Sequence, residues 1–104
     1  MKQVAFKMKL LAGNEEEYLR RHQEIWPKLA ELLKQNGISE YSIFLDPETL
    51  DLFAVQTLNE HYNDLTLRGH PIMKEWWEYM KDLMEINTDY SPKTFPLKQV
   101  FYLP

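Results

Sequence analysis

A β-α-β-β-α-β succession of hydrophobic periodicities predicts an α+β fold for this 104-residue chain. Three observations carry it. Apolar and polar residues alternate through Val4, Phe6, Met8 and Leu10. A long helical pattern follows Asn14. Two strand-like stretches, Ile38–Asp46 and Leu50–Leu58, are linked by a turn so short that it implies an antiparallel hairpin. With a second helical region, itself broken in two, and a closing strand, this is the split-βαβ, ferredoxin-like arrangement: a four-stranded antiparallel sheet with helices on one face. The other face must then meet water or another subunit, and Phe6 and Phe44 lie near positions where a second subunit would cover apolar surface. A two-fold dimer with the sheets facing each other, a dimeric α/β-barrel assembly, is the simplest solution.

The elements follow in order. The first strand has one buried face, set by Val4 to Leu10. Asn14, with Glu17 three residues on, reads as a capping-box-like helix start. The helix continues through Leu29, Leu32 and Leu33 to about Gln35, closed by Gly37. Pro27 inside it removes the bond to the Gln23 carbonyl and is expected to kink it. In the second strand, Tyr41, Ile43 and Leu45 share a face. Asp46-Pro47-Glu48-Thr49 forms the turn, and Leu50–Leu58 returns. Asn59 is expected to cap a short helix to about Arg68, ended by Gly69. Pro71 opens the next helix, where Ile72, Trp76, Met80 and Leu83 are spaced for one face. Asn87–Pro96 reads as an ordered loop, and Leu97–Leu103 as the last strand. No repeat, linker or low-complexity segment interrupts residues 1–104, which read as a single domain.

Composition narrows the function. A formal net charge of −4 argues against nucleic acid or an anionic membrane as partner. The chain has no cysteine, hence no disulfide or thiolate chemistry. Its N-terminus reads as a strand, not a signal peptide, and no apolar run is long enough to span a bilayer. A cytosolic protein is the default expectation. Gly-rich phosphate loops, a serine elbow and metal-ligand spacings such as H-E-x-x-H are all missing. Proton-transfer chemistry without a cofactor or metal, or plain ligand binding, is what remains.

The stretch that stands out is Tyr18–Pro27, YLRRHQEIWP. Tyr18, His22 and Trp26 fall at steps of four and share one helical face. That stripe carries three side chains with polar tips where Leu, Ile or Val are usual, and each tip needs a partner or ligand once buried. His22 is either a core histidine bonded to a backbone carbonyl or an acid–base group with a pKa near ~6.5. Trp76 and Trp77 point about 100° apart on a helix, so one can pack while the other forms a wall. An indole face suits the C–H surface of a sugar, and the indole N–H can bond a hydroxyl. Tyr41 is either a sheet aromatic or a hydroxyl aimed at the Tyr18–His22 stripe. His61 reads as a solvated residue and His70 as a turn residue.

RRHQEIWPKL, YSIFLD, WWEYMKDLM and the closing QVFYLP resemble the L-rhamnose mutarotase family, in order and over essentially the whole chain. The resemblance implies a cytoplasmic homodimer of ferredoxin-like fold that interconverts the α and β anomers of L-rhamnose without metal or cofactor. It also implies that His22 is the catalytic proton donor and that Tyr18, Tyr41, Trp76 and Trp77 bind the sugar. The chemistry suits the residues: opening and reclosing a hemiacetal needs a proton delivered to the ring oxygen and one removed from the anomeric hydroxyl. Two rivals stand beside this reading. One is a small dimeric monooxygenase or haem-degrading protein on the same fold. The other is a sugar-binding or regulatory dimer without catalysis.

Overall fold

The computed structural model describes residues Met1–Pro104. The elements run β1 (Lys2–Lys9), α1 (Glu15–Gln23), α2 (Pro27–Gln35), β2 (Ile38–Leu45), β3 (Asp51–Leu58), α3 (Asp64–Gly69), α4 (Pro71–Met80) and β4 (Phe95–Leu97). The four strands form one sheet in the order β2-β3-β1-β4, and every neighbouring pair is antiparallel. Each helical connection therefore passes over one strand before rejoining the sheet: β1 reaches β2 across β3, and β3 reaches β4 across β1.

Pro27 does more than kink a helix; it starts a new one. α1 stops at Gln23, and α2 begins with Pro27 at its first position, where a missing N–H is no loss. Trp26 between them is extended, with φ −61° and ψ 129°, as the residue before a proline must be. Its carbonyl accepts from Leu29 N and Ala30 N, both at 3.0 Å, and so opens α2. At the start of α1 the Asn14 side chain makes no cap; its Nδ2 donates instead to Leu11 O at 3.2 Å. Glu17 is likewise drawn away from the helix start. It binds Arg20 at 2.6 Å and Arg21 at 2.7 Å. Acidic residues in the first turn of α1 and basic ones in the last complement its dipole. Arg21 also donates to Tyr79 O at 2.5 Å and lies 4.3 Å over the Tyr79 ring, fastening α1 to α4.

A bulge decides which way β2 faces. Ile38 is buried opposite Leu58, and by simple alternation Tyr41, Ile43 and Leu45 would then point outward. One extra residue between Ser39 and Ser42, with Glu40 at φ +48°, shifts the register. Ile43 and Leu45 thus fall opposite Ala54 and Leu52, which are buried. The sequence expectation that Tyr41, Ile43 and Leu45 share a face is met, on the helix side. Phe6 is a correction: it pairs with Ala54 and packs against the core, so it faces the helices and not a second subunit. The open face is lined by Phe44, Phe53, Val55, Phe95 and Leu97; Phe44 is 63% exposed.

Three further boundaries differ from expectation. α3 is capped by Asn63, whose Oδ1 accepts from Thr66 N at 3.1 Å; Asn59 caps only the preceding turn, through His61 N at 2.8 Å. The last strand is Phe95–Leu97, so it takes the end of the expected loop, and residues 98–104 continue without a strand partner. Leu83 is buried beyond the end of α4 rather than on it. The rest of the loop is ordered as expected: Asn87 N donates to Ser91 O at 2.8 Å, and Asp89 accepts from Ser91 N at 2.9 Å. The core between the layers centres on Leu10, Leu29, Leu52 and Ala54, each at most 1% exposed.

Gly37 closes α2 at φ +85°, and a Cβ there would stand 2.1 Å from Asn59 Oδ1, the acceptor that holds the Asn59–His61 turn. Gly13 has the same φ of +85° but open space around it. Gly13→Ala should therefore lose about 1 kcal/mol of stability, the left-handed backbone term alone. Gly37→Ala should lose clearly more, about 2–4 kcal/mol, because the clash with Asn59 and the displaced turn bond to His61 N add. Urea unfolding of both variants at one protein concentration measures the difference; equal losses would mean that the close approach to Asn59 is relieved freely.

Candidate active site

Between the helices and the inner face of the sheet lies a half-open cavity of about 1390 Å³. Its floor is apolar sheet, its roof α1, α2 and α4, and its lining is mostly hydrophobic, with charged residues such as Glu40, Asp64 and Arg68 among the rest. His22, Tyr18, Tyr41, Trp76 and Trp77 all line it. A monosaccharide carries both C–H faces and hydroxyls, and a mostly apolar hollow with a few convergent polar tips suits such a ligand.

α1 sets the first two residues. One turn apart, the rings of Tyr18 and His22 stack with centroids 4.3 Å apart. Trp76 of α4 meets His22 edge-on at 5.5 Å, and Trp26 meets the Trp76 ring edge-on at 5.1 Å. Trp26 therefore stays with the cluster although it lies beyond α1: the break before Pro27 lets it pack behind Trp76, and it does not line the cavity. Of the paired indoles, Trp76 is buried and Trp77 half-buried, with the Arg68 guanidinium 5.7 Å from its ring. One packs and one forms wall, as their divergence on a helix requires.

His22 Nδ1 lies 3.0 Å from Tyr18 O. A carbonyl only accepts, so Nδ1 carries the hydrogen and Nε2 is left as the group that takes or gives a proton. Burial lowers the His22 pKa below its ordinary 6.5, and the bond to Tyr18 O only partly offsets this. The ring is thus neutral near pH 7, with a free lone pair on Nε2.

Three phenols gather around the same space. Burial raises the Tyr18 pKa, and the nearby Tyr41 raises it further. Burial raises that of Tyr41 too, with the Gln56 amide drawing it back. Tyr62 is pushed up to about 12 by burial and by Asp64, to which its hydroxyl donates at 3.1 Å. All three are neutral donors at physiological pH. Sequence reasoning singled out Tyr18 and Tyr41 and missed Gln56 and Tyr62. Gln56 had a signal: it is the one polar residue among the inward positions Leu52, Ala54, Gln56 and Leu58 of β3. His61 is exposed beside Glu60, and His70 caps α4, its Nδ1 accepting from Ile72 N at 3.1 Å. Neither lines the cavity.

A family model described as L-rhamnose mutarotase matches residues 3–103. The chain belongs to the L-rhamnose mutarotase family. It is 48% identical over 103 residues to an L-rhamnose mutarotase of Formosa agariphila, covering 99% of both chains. It is 53% identical over 100 residues to an L-rhamnose mutarotase of Agrobacterium fabrum, covering 96% of this chain and 94% of that one. The crystal structure of an L-rhamnose mutarotase from Formosa agariphila superposes with a TM-score of 0.92 at 47% identity, over the full length of both chains. An α+β architecture with a four-stranded antiparallel sheet is thus shared with a solved member of the family.

The His22 environment predicts a pH effect on stability. Its pKa is lowered in the folded chain, so the unfolded chain binds the proton more readily. Stability should fall as pH drops through about 6.5 and level off below the folded pKa. The carboxylates Glu17, Asp51 and Asp89, whose pKa values are also lowered, act only at more acid pH. Urea unfolding between pH 7.5 and 5 should show the decline in the parent and a flatter profile in His22→Phe. Matching slopes in the two proteins would show that His22 is not desolvated.

Proposed function

We propose that this chain interconverts the α and β anomers of L-rhamnose by acid–base ring opening and closure at the Tyr18–His22–Trp76 cluster. The observation that carries the proposal is the His22 ring: pinned through Nδ1 to Tyr18 O at 3.0 Å, stacked on the Tyr18 ring, and set in the wall of the cavity. This leaves one oriented, near-neutral proton-transfer group facing a space for a sugar. Membership in the family supplies the substrate class.

Opening the hemiacetal moves one proton off the anomeric hydroxyl and one onto the ring oxygen, and closure on the other face of the aldehyde reverses both. Neutral His22 Nε2 takes the first proton and, as imidazolium, serves as proton donor for the second. The hydroxyls of Tyr18 and Tyr41 bond the sugar, and the indole faces of Trp76 and Trp77 meet its C–H surface. Rhamnose carries a methyl group where most hexoses carry a hydroxymethyl, and the cavity offers Ile25, Met73 and Met84 as an apolar seat. Such a seat rejects an added hydroxyl by only about a hundredfold. Neither rival reading, the monooxygenase or haem-degrading protein and the non-catalytic sugar binder, gains support from the comparisons.

The working form we infer is a cytoplasmic homodimer of ferredoxin-like protomers, one domain each, associated as a dimeric α/β barrel. Two crossovers that each skip a strand support the ferredoxin-like reading. The apolar open face of Phe44, Phe53, Val55, Phe95 and Leu97 supports the dimer, together with exposed Val100, Phe101, Tyr102 and Leu103 in the tail. No helix is long and apolar enough to cross a membrane.

Saturation-transfer NMR of L-rhamnose anomer exchange tests the activity. His22→Ala should remain folded, still bind the sugar, and lose roughly 10²–10⁴ in exchange rate, or ~3–5 kcal/mol of barrier. His61→Ala should retain the parent rate. A folded His22→Ala protein with parent-like exchange would move the acid–base role elsewhere. For the assembly, light scattering at micromolar concentration should give twice the 12.6 kDa chain mass. Phe44→Lys, which places a charge on the open face, should shift that mass toward the monomer; a parent protein already monomeric would remove the dimer from the proposal.

A further inference from the structure

The inward face of the sheet is apolar except at two adjoining places. β1 contributes Val4, Phe6 and Met8 to it, and β3 contributes Leu52, Ala54 and Gln56. The bulge at Glu40 brings Tyr41 to the same face. Gln56 is only 8% exposed, yet its carboxamide is a double donor and a double acceptor. Burying an amide without partners is strongly unfavourable. A leucine at this position would match its neighbours, so packing does not account for a glutamine here.

Tyr41 lies opposite Gln56, across the bulge between β2 and β3. Burial raises the Tyr41 pKa, and the neighbouring Gln56 side chain draws it back. The Tyr41 hydroxyl can donate as well as accept. The amide oxygen of Gln56 remains as an acceptor. No side-chain polar atom sealed inside the chain lacks a partner, so the Gln56 amide opens on the cavity that it lines with Tyr41. Tyr41 and Gln56 together thus present a hydroxyl and an amide, each able to donate and accept, on an otherwise greasy floor. A sugar hydroxyl, or two neighbouring ones, takes that pattern: a hydroxyl both donates and accepts.

We propose that Gln56 is a specificity-determining residue, whose amide oxygen accepts from a ring hydroxyl of the bound sugar beside the Tyr41 hydroxyl. The inference rests on the mutarotase reading of the site. It assigns part of the sugar selectivity to the sheet floor, opposite the helix-borne His22 and Trp77. A buried polar site built for a hydroxyl rejects an analogue that lacks it, because the site's own groups are then left unpaired.

The test is anomer exchange by NMR, with KM and kcat separated, and sugar binding by tryptophan fluorescence. L-rhamnose would be compared with its 2-, 3- and 4-deoxy analogues in the parent, Gln56→Leu and Gln56→Met. Both variants remove the amide, and Met keeps its length and unbranched shape, so a Leu variant that fails to fold leaves the Met variant to decide. The parent should discriminate against at least one deoxy analogue. Each folded variant should raise KM for L-rhamnose roughly ten- to a hundredfold, with a smaller effect on kcat, and should lose the discrimination at that one hydroxyl. A merely structural role would slow all four sugars alike and leave their ratios unchanged; that outcome, or parent-like KM and binding, overturns the proposal. A parent that exchanges none of the sugars would instead overturn the mutarotase reading, so the two failures are distinct.

Discussion

The architecture of the site depends on Pro27. Without a backbone N–H, Pro27 cannot sit inside a helix without loss, and the residue before it is barred from helical geometry. The chain answers by ending α1 at Gln23, extending through Trp26 and starting α2 anew. The break has a packing consequence. Trp26 leaves the α1 axis and closes edge-on against Trp76, which itself meets His22 edge-on. An uninterrupted helix would carry Trp26 onward in line with Tyr18 and His22 and leave the back of Trp76 uncovered. His22 is therefore held from three sides: by the Tyr18 ring, by the Tyr18 carbonyl and by Trp76. A proton-transfer group with a fixed ring and one free nitrogen is what acid–base chemistry asks of a scaffold.

A second layer of control turns the ion pairs of α1 away from that space. Glu17 faces away from the cavity with Arg20 and Arg21, and their contact holds its carboxyl down to about 2. Exposed pairs of this kind add little to stability. Their worth here is positional: Arg21 is largely covered, and it grips Tyr79 O and the Tyr79 ring, so the outer face of α1 is tied to α4 while the inner face meets the cavity. The rings that touch His22, those of Tyr18 and Trp76, are neutral and aromatic. This environment lowers the imidazole pKa and raises those of the phenols, so histidine is the group that changes protonation near neutral pH while the tyrosines stay donors.

The two faces of the sheet divide the labour. The inner face closes the core at Leu10, Leu52 and Ala54 and then opens into the cavity, where Tyr41 and Gln56 are its polar exceptions. The outer face has no helical cover and carries a band of aromatic and aliphatic side chains from β2, β3 and β4. The proposed catalysis and the proposed association thus draw on opposite sides of one sheet. Alternate residues of a strand point to each side, as Ile43 and Phe44 do on β2.

Much of this was decided locally, and the sequence by itself determined it. Alternation in Val4–Leu10, the turn at Asp46–Thr49 and the spacing of Ile72, Trp76 and Met80 are short-range patterns, and the elements they predict are present. The step of four from Tyr18 to His22 likewise needed only helical geometry, and it yields the stacked pair. Residues on other elements were another matter. Tyr41 faces the cavity only because the ladder with β3 takes up an extra residue at Glu40, and a bulge belongs to two strands at once. The place of Trp26 was settled by Trp76, far along the chain, once Pro27 had freed it. Phe6 looked like an interface residue until its pairing with Ala54 assigned it to the core. The closing strand starts at Phe95 because β1 offers Lys7 as its partner there, while the apolar residues after Leu97 have no strand beside them to pair with. Periodicity within a segment is written in that segment; register, facing and partner are set by the neighbour's hydrogen bonds and side chains, and those exist only in the folded chain.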